Sequence, residues 1–227
     1  FAAGRSIIEL FKERVKKNNP KAEFVGEAWP KLNEAAYAPF ITAMIDAKPD
    51  AVSYFFAFGI PFWQQSASYE LGKRFPLVSS YWGGSDEMQT LPKNAIPTGA
   101  VMGGLPWYAI EGEANKSFVE SFRKAHGKPP LTAAYLMLLN LEALKTGVER
   151  AGTIETEKVA DTLSGMQFET VLGPVTIRKF DNQGATPLWT GRAGWSDELN
   201  TGVLTDILKL PTDVYLPTEQ EVRASRQ

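Results

Sequence analysis

The chain holds one histidine, His126, so a serine triad or an imidazole-bound metal would have to be built on it. It lies in Arg123-Lys124-Ala125-His126-Gly127, which reads as the last turn of a helix followed by its C′ glycine. Cationic side chains there meet the negative end of the helix dipole, worth about 0.3 to 1 kcal/mol, so His126 is assigned to capping. Cysteine is absent, which removes thiolate nucleophiles, disulfides and Cys-type zinc or iron sites together. No GxxxxGK[ST], GxGxxG, GxSxG or HExxH pattern occurs. The acid pairs Asp86 with Glu87 and Glu111 with Glu113 could serve hydrolysis only if two carboxyls faced each other across a cleft. Nothing in their spacing sets them so, and they are read as solvated. Gly83-Gly84-Ser85 reads as a flexible turn, with Ser85 capping a helix whose first turn carries Asp86 and Glu87. No catalytic residue, no metal ligand and no cofactor is expected.

Binding is a different matter, because aromatic residues gather where strands are expected to end. Phe55-Phe56-Ala57-Phe58-Gly59, Tyr81-Trp82-Gly83-Gly84 and Leu105-Pro106-Trp107-Tyr108 each close a short apolar run. In an open parallel sheet, ligands bind outside the C-terminal strand ends, so these clusters converge on the expected crevice. Core packing competes for some of them. Phe55 is assigned to the core, whereas Tyr81 and Trp82 precede a double glycine and stand as either core or ligand contacts.

The elements that would carry these clusters follow from periodicity. Ile7, Ile8, Phe11 and Val15 form one stripe of a helix over 5–18, ended by Asn18-Asn19-Pro20, and Phe24-Val25-Gly26 reads as a buried strand. Pro39 opens a second helix with Ile41, Met44 and Ile45 inward, and Ala51 to Phe55 follows as a strand. A third helix over 61–71 stops at Gly72 before the strand 76–79. Helices alternating with short buried strands indicate a parallel α/β sheet. Beyond Thr98 the pattern predicts a strand over 99–105 and a helix over 115–125. A long helix follows over 132–150, too apolar for a free face, and then a short helix over 157–164. Strands are expected at 171–177, 188–195 and 203–208, with Asp181-Asn182-Gln183-Gly184 as a turn and 219–227 as a fraying tail.

Composition agrees with a folded, globular chain. It has 227 residues, 44% of them hydrophobic, with 24 basic against 26 acidic side chains and a formal net charge of -2. A core of ordinary size can be buried, and no electrostatic footprint for nucleic acid or an anionic membrane surface exists. No run approaches the length needed to span a bilayer.

Four segments, in order, resemble the type I periplasmic binding proteins of the branched-chain amino-acid and amide group. They are Gly4-Arg5-Ser6, then Ala47-Lys48-Pro49-Asp50-Ala51-Val52, then Asn115-Lys116-Ser117-Phe118-Val119, then Leu172-Gly173-Pro174-Val175-Thr176. The resemblance implies a two-lobed α/β "Venus-flytrap" fold with parallel sheets flanked by helices. It implies a solute-binding component of an ABC importer, located in the periplasm, which closes on a small molecule, docks on a membrane permease and catalyses nothing. On that template residues 1–98 belong to the second, C-terminal lobe, 99–187 to the remaining part of the first lobe, and 188–227 return to the second lobe as strands and tail. The chain then opens mid-fold, with roughly the first third of the family's length lying outside it, and a monomer is expected at full length. A sensor domain of a regulator or receptor with the same fold is the alternative, and a carboxylate hydrolase a third reading.

Carried over residue by residue, the resemblance marks Ala3, Ala57 and Tyr81 as ligand-binding positions, and Phe56, Phe58, Trp82 and Trp107 join them as aromatics at the expected strand ends. The family's amino-acid binders have tyrosines where this chain has Ala3 and Ala57, and an acid where it has Tyr81. A buried ammonium without its carboxylate would cost several kcal/mol, which argues against a free amino acid. Two lost tyrosines enlarge the pocket, and the remaining rings suit a bulky solute, aromatic or otherwise apolar, such as a carboxylate.

Overall fold

Pro39 fixes the backbone angle of a first helical turn, and lysine-proline at 48–49 cannot continue a helix, so the segment between them becomes helical and the next becomes a strand. The computed structural model describes residues 2–55, 59–79 and 84–226, with the backbone alone for Ala2 and Ala3. In chain order its first part comprises helix α1 (Ala2–Asn18), helix α2 (Ala38–Asp46), strand β1 (Val52–Tyr54), helices α3 (Ile60–Ser66) and α4 (Leu71–Arg74), strand β2 (Leu77–Ser79), helix α5 (Gly84–Met88) and strand β3 (Val101–Gly104). Then come α6 (Glu113–His126), α7 (Thr132–Ala151), α8 (Thr156–Leu163), β4 (Gln167–Thr170), β5 (Gly173–Ile177), β6 (Gly184–Ala185), β7 (Leu188–Ser196), β8 (Thr201–Leu210), α9 (Thr212–Tyr215) and α10 (Glu219–Ser225).

The chain divides into two units, one formed by the chain up to Gly104 with 190–208, the other by 105–189 with 209–227. The break expected after Thr98 therefore falls after Gly104, because Val101 pairs with Val78 and keeps β3 in the first sheet. The tail from Lys209 packs with the second unit, not the first: Arg178 donates to the Pro217 carbonyl at 2.6 Å.

In the first unit the sheet order is β1-β2-β3-β7-β8. Strand β1 runs parallel to β2 with Tyr54 opposite Ser79, and β2 runs parallel to β3. The Ala193 amide donates to the Ala100 carbonyl at 2.8 Å and the Gly99 amide to the Ala193 carbonyl at 2.8 Å, which joins β7 to the start of β3. The core is aromatic. Trp63 and Ile41 are fully buried, Phe62 nearly so, and Trp63 meets Tyr54 and Phe62 edge-on at 4.8 and 4.9 Å. Such tilted pairs favour the ring quadrupoles and suit a core assembled from a strand end and one short helix.

Helix α5 is pressed unusually close to its neighbours, and three glycines allow it. A methyl group at Gly84 would strike Met102, one at Gly104 would strike Ser85, and one at Gly202 would overlap the Met88 carbonyl. Met88 is fully buried beneath them.

In the second unit β4, β5 and β6 form an antiparallel sheet, with Phe168 opposite Val175. Helix α7 places Tyr135, Leu139 and Gly147 inward, and Leu163 of α8 sits where a Gly147 side chain would be.

Several expectations change. Phe24-Val25 forms no strand; Phe24 is 41% and Val25 60% exposed, and the segment is held by α1 through Lys12 on Glu27 and Arg5 over Trp29. An apolar run becomes a strand only where a partner backbone lies alongside. The third helix is broken at Glu70, which takes a left-handed conformation at φ 50°, and Gly72 lies inside α4 beside the Thr98 carbonyl. Helix α7 is not buried on most sides. Met137, Leu141 and Leu144, which share its outer face, are 61%, 56% and 52% exposed. The 219–225 segment does not fray, because Thr218 and Glu221 form a reciprocal capping box at the start of α10.

Replacing Gly202 by alanine should lower unfolding stability by about 1 to 3 kcal/mol, since the Met88 backbone and the Ile96 side chain must yield. Chemical denaturation followed by tryptophan fluorescence measures the loss, and Gly99→Ala, which has open space, separates the steric effect from the strain of its positive φ.

Candidate functional site

The parallel strands β1 and β2 end side by side at Tyr54 and Ser79, and their chains continue into the segments that hold the aromatic clusters. The Tyr54 side chain is buried, and that burial pushes its pKa well above the ordinary tyrosine value. The two strand ends are tied by the ladder.

A second tie lies just beyond. Glu87 of α5 is 8% exposed, its Oε1 accepting from the Gly59 amide at 2.8 Å and its Oε2 from Trp63 Nε1 at 3.1 Å. Gly59 is the residue at which the chain leaves the first aromatic cluster, and α5 begins where it leaves the second. Sequence reading had placed Glu87 in solvent; the structure buries it because a short helix packed on three glycines turns this side chain toward α3. Burial raises its pKa above the usual carboxylate range, against the lowering effect of its two hydrogen bonds. Among the described residues it makes no ion pair. A desolvated carboxylate answered by neutral donors has positional value because both acceptor oxygens are used. Ser85 is likewise buried, not at the capping position expected for it, and its Oγ packs against Gly104 without a hydrogen-bond partner among the described residues.

Of the residues expected to touch a ligand, Phe56, Ala57, Phe58, Tyr81 and Trp82 lie outside the described residues, and Ala3 is described only as backbone in the first turn of α1. Trp107 falls in the second unit, 7% exposed, with its ring edge-on to Tyr108 at 5.3 Å and under the Arg123 guanidinium at 4.2 Å. Its carbonyl accepts from Asn115 Nδ2 at 3.0 Å, and the same amide donates to the Ile110 carbonyl at 2.8 Å. Asn115 Oδ1 in turn accepts from the Tyr135 hydroxyl at 2.5 Å. Both side chains are almost fully buried, so this network fixes the turn that follows Gly104 onto α6 and α7. Sequence reading had used Asn115 only as part of a motif. The signal for its role was an asparagine at the third position of an amphipathic helix, where an apolar residue was due.

His126 lies in the last turn of α6 before Gly127, which has φ 70°, and its ring rests 4.4 Å from Phe122. Glu111 and Glu113 are exposed. Among the described residues no group of three or more His, Asp or Glu side chains could hold a metal, and no helix is long and apolar enough to cross a membrane.

Asn115→Ala should strand the Tyr135 hydroxyl and two carbonyls and cost about 2 to 4 kcal/mol, read by urea unfolding. For Glu87 the sign of the pH effect is fixed by its raised pKa. The folded state holds that proton more tightly than the unfolded state, so its contribution is fully present below the unfolded value of about 4.3 and is lost as pH rises through the folded value. Glu87→Gln should therefore gain stability relative to the parent chain as pH is raised from 4 to 7, in paired denaturation curves.

The periplasmic binding protein family profile matches residues 1–198. No curated protein matches the chain by sequence. Among solved structures, an amino acid ABC transporter substrate-binding protein from Pseudomonas fluorescens Pf-5 superposes with a TM-score of 0.81 at 16% identity, over 97% of this chain. A solute binding protein of an ABC transporter from Rhodopseudomonas palustris BisB5, in complex with 3,4-dihydroxybenzoic acid, gives 0.78 at 22% identity over 93%. A further solute binding protein from R. palustris, in complex with 4-hydroxybenzoate, gives 0.76 at 14% identity over 93%. The chain spans 58% of the length of each of the three. With the family profile covering most of its length and the same α/β architecture recurring in these structures, the chain belongs to the periplasmic binding proteins and has their type I fold.

Proposed function

We propose that this chain is part of the solute-binding component of an ABC importer, working in the periplasm and delivering its solute to a membrane permease. The family match over residues 1–198 carries the reading. In it, the first unit belongs to the second lobe and the second unit to part of the first lobe, and the solute is captured by hinge closure. Closure is a population shift, with the solute stabilising whichever state offers contacts from both sides. Binding alone is required, and no group here is assigned to bond breaking.

The proposed solute is aromatic or otherwise bulky and is not a free amino acid. Phe56, Phe58, Tyr81, Trp82 and Trp107 supply flat faces and polar edges, while Ala3 and Ala57 leave room for a ring. Two structures of the same fold were solved with hydroxylated benzoic acids, which lends support to this class. Position 81 has no carboxylate to meet an ammonium group, a loss that weighs against leucine-like ligands.

A thermal-shift screen of amino acids, benzoic acids, amides and short aliphatic acids tests the class. A benzoic acid at 100 times its Kd should stabilise the protein by about 2.7 kcal/mol, and leucine should leave Tm unchanged. Tyr81→Ala or Trp82→Ala should weaken the hit at least tenfold by titration calorimetry, about 1.4 kcal/mol. A shift with leucine alone would reverse the solute class, and unchanged affinity in both variants would reverse the site.

A further inference from the structure

We propose that the outer face of α7 is the seat of a β-sheet, the apolar face of a sheet belonging to the part of the first lobe that this chain does not span. The inference rests on the assignment above of the second unit to that lobe. On its inner side α7 is engaged: Tyr135 donates to Asn115, Leu139 is buried, and Gly147 receives Leu163 of α8. Its outer side is apolar from end to end. Ala133, Met137, Leu141, Leu144, Val148 and Ala151 fall in one narrow sector of the helix, and no charged residue interrupts them. Met137, Leu141 and Leu144 are 61%, 56% and 52% exposed. Lys145 and Glu149 pair with each other at 3.7 Å on the border, which keeps their charges out of the stripe. An uninterrupted apolar stripe of this kind on a helix marks a face that packs on a partner.

Its dimensions and the architecture choose the occupant. Helix α7 has 20 residues, so the stripe is about 30 Å long and about 10 Å wide, or about 300 Å² on each side of a contact. Two copies joined through α7 alone would bury about 600 Å² in all, half the lower bound of about 1,200 Å² for a stable pair. A sheet needs no such area, because the rest of its lobe holds it in place. In an α/β lobe the helices cover the faces of a parallel sheet. Among the described residues the parallel pairs lie in the first unit, and the ladders of the second are antiparallel. The three solved structures superpose on this chain over 58% of their length, and the remainder of that length is ample for a sheet.

Single cysteines placed in this cysteine-free chain report their own accessibility, read by mass spectrometry of the α7 peptide after maleimide treatment. In the protein as the cell makes it, Leu141→Cys and Leu144→Cys should react at least about tenfold more slowly than Lys145→Cys, whose native side chain is 75% exposed. Equal rates at all three positions would leave the stripe in water and overturn the proposal. Protection that vanishes on dilution, with a mass that doubles on concentration, would give the stripe to a second copy and also overturn it. Leu141→Glu supplies an independent reading: beneath a sheet it should lower Tm by about 5 °C or more, whereas an unchanged Tm contradicts the cover. The solute takes no part in either measurement. Protected cysteines in a protein that binds no member of the acid and amide panel would therefore keep the covered stripe and remove the solute reading.

Discussion

The close approach of α5 to the sheet is the constraint on which the first unit depends. Five residues, Gly84–Met88, must fit against the backbones of β3 and β8, and the fit exists only because Gly84, Gly104 and Gly202 carry no side chains at the contacts. Glycine costs conformational entropy in regular structure, so its use there is repaid by what the approach permits. It lets Met88 fill the space beneath the sheet and turns Glu87 toward the start of α3. The aromatic core around Trp63 is then closed from above by a carboxylate instead of by another ring, with the indole nitrogen satisfied in the same stroke.

Much of the architecture could be read from the residues alone. Helices α1, α2, α6, α7 and α8 announced themselves through apolar spacing and through proline and glycine at their ends, and β1 to β3 through short apolar runs between them. What escaped was set by neighbours distant in sequence. Phe24-Val25 has the composition of a strand, but pairing is a property of two chains. Helix α7 has apolar residues all round, and periodicity cannot say which side meets a partner. The capping box at Thr218 was legible, since threonine followed three residues later by glutamate is its signature, and the absence of apolar spacing after it obscured the signal.

The candidate site was legible in type more than in position. Aromatics after parallel strands pointed to a binding crevice, and the family profile agrees with a binding fold. The polar groups that organise the region were not legible, because burial decides their role. Glu87 and Asp86 are identical in a charge count, yet one faces a buried amide and an indole while the other is only partly buried. Asn115 is one asparagine among several, distinguished only by meeting two carbonyls and a tyrosine hydroxyl that converge from three directions.

The outer face of α7 carries its own consequence. Ala133, Met137, Leu141, Leu144 and Val148 recur at intervals of three and four and so lie along one strip of the helix, three of them more than half exposed. Water around such a strip is released when it is covered, and sulfate or phosphate raises that tendency by being excluded from the surface. Colloidal behaviour is thereby written into one helix: the chain should salt out sooner than its charge would suggest. The thioether of Met137 is the atom group most open to peroxide, and its sulfoxide would make the strip more polar and the protein easier to keep in solution.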